Sequence, residues 1–313
     1  MPIDPELLSA LHERLASQRP AADLAAMRAG FSATGAALPR PQVGAVEEHL
    51  LRHGGVDIPI RLYRPAAAAR GPLLVFLHGG GWMFGDLDSH DAACRHLVVA
   101  AGCAVAAVAY RLAPEHPFPA GLDDCHAATE WLLDNAHALG LDAGRVALGG
   151  ESAGANLAAV LARKLATRDG VRPMLQLLVH PPVDFRFESA SIAEIDAPGL
   201  TADSLLMVRG AYLRDPADIL HPDASPMLAP DLAGLPPAVV LTVEIDPLRD
   251  EGEAYALRLA KAGVETTLVR VPGLVHGFMF ESAEVKIVGD TFARIGQSLR
   301  RAFAQTAAAR PAQ

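Results

Sequence analysis

Ser152 has the clearest chemical signature in the sequence, because it is the central serine of a Gly-x-Ser-x-Gly pentapeptide at 150–154. The pentapeptide follows a short apolar run, 146–148, and precedes a segment with a helical pattern, 153–168. A strand, a sharp turn and a helix in this order form a nucleophile elbow, in which glycines make room for the turn and the helix N-terminus adds positive potential. We therefore predict that Ser152 is a nucleophile. The alternative is an ordinary tight turn in which the serine only caps the helix.

A serine hydroxyl is a weak nucleophile, so it needs a general base and a carboxylate that orients this base. Asp246 and His276 each directly follow a short apolar run, and they come after the serine in the order acid, then histidine. Residues that end parallel strands meet at the sheet edge where ligand sites form. We predict Asp246 as the acid and His276 as the base. Glu244 and Asp250 remain alternatives for the acid, whereas His180 precedes Asp246 and so lies in the wrong chain order for the base.

Three consecutive glycines, Gly79, Gly80 and Gly81, follow another apolar run. Glycine lets backbone N–H groups approach an acyl oxygen closely. The glycines and Ala153, the residue after the serine, are therefore predicted to form an oxyanion hole. A phosphate-binding loop is the alternative, but the aspartates at the start of the next helical pattern would repel phosphate. His78 is expected to be a structural hydrogen-bonding residue, not a catalyst.

Short apolar runs alternate with helical patterns along most of the chain, which predicts a parallel sheet covered by helices on both faces. The runs are 73–77, 104–109, 146–148, 174–179, 239–243 and 267–271, and the helical patterns are 91–101, 120–135, 153–168 and 251–262. Two further runs, 46–51 and 58–63, flank Gly54 and Gly55 and predict a β-hairpin that adds an antiparallel edge.

The segment 181–236 interrupts this alternation, since it contains no convincing strand. So long an excursion between two strands is typical of a functional element such as a lid. We interpret it as a helical cap inserted into a catalytic core made of 46–180 and 237–313. We assign 1–45 to the same cap as its N-terminal helical part, and we expect the amphipathic helix at its start to pack with 181–236. Side chains that could line an acyl pocket are Trp82, Phe185, Met207 and Tyr212. These aromatic and apolar residues could equally form a core of their own.

The composition excludes several other classes of function. A net charge of −9 without a basic cluster argues against binding of nucleic acid. Three cysteines, none in a Cys-x-x-Cys pair, indicate buried thiols in a reducing compartment and neither a disulfide framework nor a metal site. The first residues lack a secretory signal, and no stretch approaches the roughly 20 apolar residues of a membrane span. We expect a cytoplasmic protein without stable membrane insertion. Its last helix could form a homodimer contact or simply pack on the sheet.

Taken together, the motifs resemble the bacterial carboxylesterase branch of the hormone-sensitive-lipase-like family of α/β-hydrolases. The resemblance rests on His-Gly-Gly-Gly-Trp at 78–82, Gly-Glu-Ser-Ala-Gly at 150–154 and Tyr-Arg-Leu-Ala-Pro-Glu at 110–115, and it extends from about Leu50 to the final helix. It implies the α/β-hydrolase fold and hydrolysis of a small ester with a short to medium acyl chain, without a cofactor. The sequence departs from the family pattern at Glu151, where Asp is usual.

Other functions remain open on the sequence alone. The same nucleophile, base and hole could hydrolyse an amide, a formamide or a thioester. The chain could also be a binding protein that kept the fold and lost catalysis, although such a protein should lack one of the three side chains, and all three are present.

Overall fold

A computed structural model describes residues 2–17, 23–66, 71–169, 172–195 and 197–304, without the side chains of 15–17. Within these residues the strands are β1 Ala45–His53, β2 Val56–Arg64, β3 Gly71–Leu77, β4 Ala104–Val108, β5 Leu141–Glu151, β6 Leu175–Val179, β7 Ala238–Ile245 and β8 Thr266–Val275. The helices are α1 Pro5–Ser17, α2 Leu24–Ala36, α3 Asp91–Ala101, α4 Ala120–Asp134, α5 Ala153–Ala166, α6 Ala190–Glu194, α7 Ala202–Tyr212, α8 Arg249–Lys261 and α9 Lys286–Ala304.

The strands form one sheet in the order β1-β2-β4-β3-β5-β6-β7-β8. The hairpin β1–β2 and its contact with β4 are antiparallel, and the remaining pairs are parallel. The predicted α/β fold, with a mostly parallel sheet and an antiparallel edge, is therefore confirmed. At the tip of the hairpin, Gly54 and Gly55 have φ of +57° and +80°, the backbone region that a tight hairpin turn demands.

Burial on both faces explains why the central strands β3, β4 and β6 read as continuous apolar runs. In β3, Leu73, Val75 and Leu77 belong to one buried cluster, whereas Leu74 and Phe76 belong to another. This alternation follows from the two-residue period of a strand. The first cluster includes side chains of α4, α5 and α8, and the second includes side chains of α3 and α9. Helices therefore cover both faces, and each face has its own core.

The N-terminal helices pack in two different places. The buried side chains Leu7 and Leu11 of α1 lie in the cluster that contains α9, which differs from the expectation that the first helix packs with 181–236. Helix α2 contacts the Gly-rich loop, residues 78–84 after β3, because Arg28 donates a hydrogen bond to the carbonyl oxygen of Met83 (2.8 Å). Arg28 also donates to the carbonyl oxygen of Ala113 (2.7 Å), which follows β4. Assignment of 1–45 to a cap stays a prediction.

The segment 181–236 contains α6, α7 and two short 3-10 helices, and its described residues contribute no strand to the sheet. Its buried side chains Phe185, Leu205, Val208 and Tyr212 belong to the same cluster as those of α5. The segment therefore packs on the same face of the sheet as α5. Whether it is a separate cap unit stays a prediction.

The structure also bears on the expectations for the cysteines and for membrane spans. Cys94, Cys103 and Cys125 are buried free thiols, as predicted. Across the part of the chain that the structure describes, no helix has the length and apolar character needed to cross a membrane.

Candidate active site

Ser152 lies between the end of β5 and the first residue of α5, with φ +51° and ψ −123°. This backbone conformation is unfavourable for a residue with a side chain, and such strain is concentrated at functional sites. The close approach of α5 to β3 requires the second glycine of the pentapeptide, since a Cβ on Gly154 would lie 1.9 Å from the carbonyl oxygen of Leu77. The strand–turn–helix context predicted for the pentapeptide is therefore present.

The structure brings Ser152, His276 and Asp246 together in the predicted order. Nε2 of His276 lies 2.9 Å from Oγ of Ser152, and its Nδ1 lies 2.9 Å from Oδ2 of Asp246. A carboxylate only accepts hydrogen bonds, so Nδ1 carries the proton and Nε2 of the neutral ring is free to accept the serine proton. The hydroxyl, the imidazole and the carboxylate thus form one hydrogen-bonded chain with the polarity that a general base needs.

The two alternative acids are engaged elsewhere. Asp246 is fully buried, and its Oδ1 accepts a hydrogen bond from the backbone N–H of Leu248 (2.8 Å). Glu244 accepts from the N–H of Gly273 (2.8 Å), and Asp250, in the first turn of α8, accepts from the N–H of Ser191 (3.0 Å). Only Asp246 of these three is hydrogen-bonded to His276 among the described residues.

Two opposing effects act on the pKa of His276. Burial disfavours the charged imidazole, but the charge of Asp246 and the hydrogen bond to it outweigh burial, so the pKa of His276 is raised above the ordinary value. His180, Asp246 and His276 also offer three potential metal-ligand atoms within 4.8 Å of one another. A metal ion there would take the nitrogen or oxygen atoms that the hydrogen-bonded chain already uses.

In the Gly-rich loop, the carbonyl oxygens of His78, Gly79 and Gly80 all accept hydrogen bonds from the protein. The donors are the hydroxyl of Tyr110 (2.8 Å), Nδ1 of His78 (2.8 Å) and the N–H groups of Met83 (3.1 Å) and Phe84 (2.9 Å). In a trans peptide the N–H points opposite to the C=O. The N–H groups of Gly79, Gly80 and Gly81 are therefore turned away from these donors.

The N–H of Ala153 lies in the first turn of α5, where backbone N–H groups have no acceptor within the helix. His78 makes the structural hydrogen bond expected of it, and burial lowers its pKa to about 3, so the ring is neutral at physiological pH. A neutral His78 places no positive charge beside the loop.

The predicted pocket residues divide into two groups. Trp82 is 2% exposed and stacks on Tyr212, with ring centroids 4.6 Å apart, and the ring of Phe185 lies 4.9 Å from that of Trp82. These three rings form one cluster between the Gly-rich loop and the 181–236 segment. Met207, by contrast, is 50% exposed on α7 and takes no part in that cluster. Its assignment to an acyl pocket finds no support in these contacts.

Sequence reasoning did not predict that three buried side chains form a cluster next to Ser152. Glu151 lies between His90 and His180, with Nε2 of His90 3.1 Å from its Oε1 and Nε2 of His180 3.3 Å from its Oε2. The ring of His180 is in turn 4.2 Å from that of His276, between centroids. The only sequence signal for this cluster is the departure from the family pattern at Glu151.

Comparison with known proteins agrees with this geometry. A family model described as the α/β-hydrolase fold matches residues 74–280. The chain is 43% identical to carboxylic ester hydrolase LipN of Mycobacterium tuberculosis over 82% of this chain and 70% of that protein. It is 42% identical to ethyl acetate hydrolase of Pseudomonas putida over 74% of each. A hyperthermophilic esterase from the archaeon Pyrobaculum calidifontis superimposes with a TM-score of 0.88 at 37% identity, covering 97% of this chain and all of that one. The chain therefore belongs to the hormone-sensitive-lipase-like family of esterases with the α/β-hydrolase fold.

Proposed function

We propose that this protein is a serine carboxylesterase that hydrolyses small carboxylic esters through an acyl-enzyme, with Ser152 as nucleophile, His276 as base and Asp246 as orienting acid. The observation that carries the proposal is the chain of two 2.9 Å contacts from Ser152 through His276 to Asp246 at the N-terminus of α5. Relatives at about 40% identity that are named ester hydrolases support the same reaction class.

In the first half of the reaction, Nε2 of His276 takes the proton from Ser152 as Oγ attacks the ester carbonyl. The carbonyl oxygen becomes an oxyanion, which the N–H groups of Gly79, Gly80, Gly81 and Ala153 are available to stabilise. Fixed donors of this kind are worth about 10²–10³ in kcat each. Asp246 stabilises the imidazolium that forms without taking its proton.

The imidazolium then returns its proton to the leaving alcohol, and the carbonyl re-forms as an ester of Ser152. In the second half, His276 takes a proton from water, which attacks the acyl-enzyme through the same oxyanion. This oxyanion collapses to the carboxylic acid, and the imidazolium of His276 returns its proton to Oγ of Ser152. Both halves of the reaction use the same base and the same backbone N–H donors, and water is the only reactant besides the ester.

The substrate is proposed to carry a short to medium acyl chain. One relative is named ethyl acetate hydrolase, and the resemblance of the motifs implies the same range. The mutual packing of Trp82, Tyr212 and Phe185 agrees with this range. Rings that pack against one another leave less room for a long acyl chain of the substrate. Amide, formamide and thioester hydrolysis on the same side chains are alternatives that the experiment below separates.

The test is hydrolysis of p-nitrophenyl esters of increasing acyl length, with Ser152→Ala as the matched inactive variant. Turnover by the wild type, highest on short or medium chains and lost in Ser152→Ala, is the expected result. If the wild type shows no turnover above that of Ser152→Ala on any chain length, the esterase proposal is wrong. Amide and thioester substrates assayed in parallel then identify the acyl transfer that the site performs.

A further inference from the structure

A buried carboxylate lies directly behind the nucleophile. Glu151 is only 3% exposed, and its two oxygens face two different imidazoles, those of His90 and His180. A charge buried this deeply is costly unless it is paired and hydrogen-bonded. Glu151 has no role in the proposed reaction, although it directly precedes Ser152 in the chain.

Glu151 also touches the Gly-rich loop. A Cβ added at Gly79 would lie 2.1 Å from Oε1 of Glu151, so the backbone of the first glycine rests against the carboxylate. The same oxygen lies 3.1 Å from Nε2 of His90, next to the N-terminus of α3. One oxygen of Glu151 thus bridges the loop and the helix that follows it.

The other oxygen leads towards the base. His180, at the end of β6, has a strained backbone with φ +38°, and its side chain is fully buried. Its Nε2 lies 3.3 Å from Oε2 of Glu151, and among the described residues neither atom has a hydrogen-bond partner. The ring of His180 packs at 4.2 Å from the ring of His276. Glu151 and the base are therefore separated by a single imidazole.

Glu151 carries the negative charge of the cluster at neutral pH. Burial opposes ionisation of Glu151, but the hydrogen bond from His90 and the nearby imidazoles outweigh it and lower the pKa of Glu151 to about 2. Burial and the neighbouring His276 lower the pKa of His180 to about 4, so this ring is neutral. The carboxylate therefore stays ionised over the whole range in which His276 titrates.

Two groups beside the cluster, His78 and Tyr110, are uncharged at neutral pH. His78 stays neutral, as described above, and burial raises the pKa of Tyr110 well above its usual range, so its hydroxyl keeps its proton. Asp86 carries a carboxylate whose field acts on His78. On the other side, His276 faces Asp246, and the charge of Glu151 adds to the rise of its pKa.

We propose that Glu151 is a positioning residue that acts through His180 and its own buried charge, stabilising the imidazolium of His276 as a second carboxylate behind the base. This inference rests on the proposed function. It differs from the role of Asp246 in geometry, because Asp246 holds Nδ1 directly, whereas Glu151 faces the ring through the packed His180.

The experiment is the pH dependence of kcat/KM for wild type, Glu151→Gln and Glu253→Gln on the best p-nitrophenyl ester. Glutamine keeps the size of the side chain and removes its charge. The acid limb of kcat/KM reports the pKa of the base in the free enzyme. Loss of a negative charge near His276 disfavours the imidazolium, so the limb of Glu151→Gln moves to lower pH, while the plateau falls about 10-fold, a part of the 10²–10⁴ that a general base contributes.

Glu253→Gln is the control, since Glu253 on α8 is a partly buried carboxylate that is paired with Arg270 and lies outside the cluster. The acid limb of Glu253→Gln stays at the wild-type position. Glu151→Asp keeps the negative charge, so the acid limb of its kcat/KM profile also stays at the wild-type position. The position of a limb does not depend on how much of the sample is folded, so it is measurable on a partly folded variant.

The inference is wrong if the acid limb of Glu151→Gln coincides with that of the wild type within about 0.3 pH unit, which is a twofold change in the protonation equilibrium. A lower plateau would not rescue it, because loss of packing alone lowers only the plateau of kcat/KM. A limb in Glu151→Asp shifted as far as that of Glu151→Gln overturns it as well. A wild type without esterase turnover instead overturns the proposed function, so the two failures are distinguishable.

Discussion

Replacement of Asp246 by Asn tests the acid assignment with the smallest change in shape. Oδ1 of Asp246 accepts from the N–H of Leu248 and Oδ2 accepts from Nδ1 of His276. In Asp246→Asn the amide oxygen keeps the bond to Leu248, which turns the NH₂ group towards Nδ1. Two donors cannot face each other, so His276 moves its proton to Nε2. That nitrogen then can no longer accept the proton of Ser152.

The expected loss of kcat in Asp246→Asn has two contributions. Loss of a hydrogen bond to a charged group costs about 1.5–3 kcal/mol, which is about 10- to 150-fold in rate. The wrong tautomer adds the remainder. In serine proteases with the same arrangement of three side chains, the corresponding change lowers kcat by about 10⁴, which is about 5.4 kcal/mol at 1.36 kcal/mol per tenfold. We expect a loss of about 10³–10⁴ in kcat for Asp246→Asn.

The assay is kcat on a p-nitrophenyl ester, with circular dichroism and thermal unfolding to check that the variant is folded. Asp250→Asn is the matched control, because Asp250 is a nearby carboxylate that binds the N–H of Ser191; its kcat should change less than 10-fold. A folded Asp246→Asn within 10-fold of the wild type, or an Asp250→Asn that loses as much, would refute the assignment and the tautomer argument with it.

Three further outcomes follow from the same geometry. Gly80→Ala should lower kcat by about 10²–10³, as for loss of one oxyanion donor, since Gly80 has φ +113° and its Cβ would lie 2.3 Å from the carbonyl oxygen of Phe84; an unchanged kcat in stopped-flow assays contradicts this. In the wild type, kcat/KM should rise with pH as His276 loses its proton, with the midpoint above the ordinary value of 6.5; a midpoint below 6.5 means that burial outweighs Asp246. Arg28→Ala should lower the free energy of unfolding by about 1–3 kcal/mol, because the carbonyls of Met83 and Ala113 lose their donor; urea midpoints equal to the wild type contradict this.

Local patterns were sufficient to predict the elements that hold the three side chains. The apolar runs that end near Ser152 and Asp246 are buried on both faces, so hydrophobicity alone marks them. The run before His276 is different, because β8 is an edge strand with exposed residues such as Leu268. Parallel strands bring their carboxyl ends to one edge, and this rule converts positions far apart in the chain into neighbours in space. The prediction of which residues meet therefore needed no information on tertiary contacts.

Tertiary contacts that leave no periodic pattern could not be predicted in this way. Leu7 and Leu11 form an apolar stripe on α1, but a stripe does not specify its partner, and α9 proved to be that partner. Similarly, Met207 and Tyr212 have the same apolar character on the same helix, yet one is half exposed and the other is buried against Trp82. The rotation of α7 about its own axis decides between them.

The orientation of α7 also links the proposed acyl pocket with the proposed oxyanion hole. Val208 of α7 lies so close to the Gly-rich loop that a Cβ on Gly81 would be 2.9 Å from its Cγ1, and one turn further along α7 Tyr212 stacks on Trp82. The helix and the loop are therefore packed as one unit. Because interiors are densely packed, a displacement of α7 must be transmitted to the N–H groups beside it. Changes at this contact should consequently alter kcat together with KM, although neither Val208 nor Tyr212 belongs to the hydrogen-bonded chain of Ser152, His276 and Asp246.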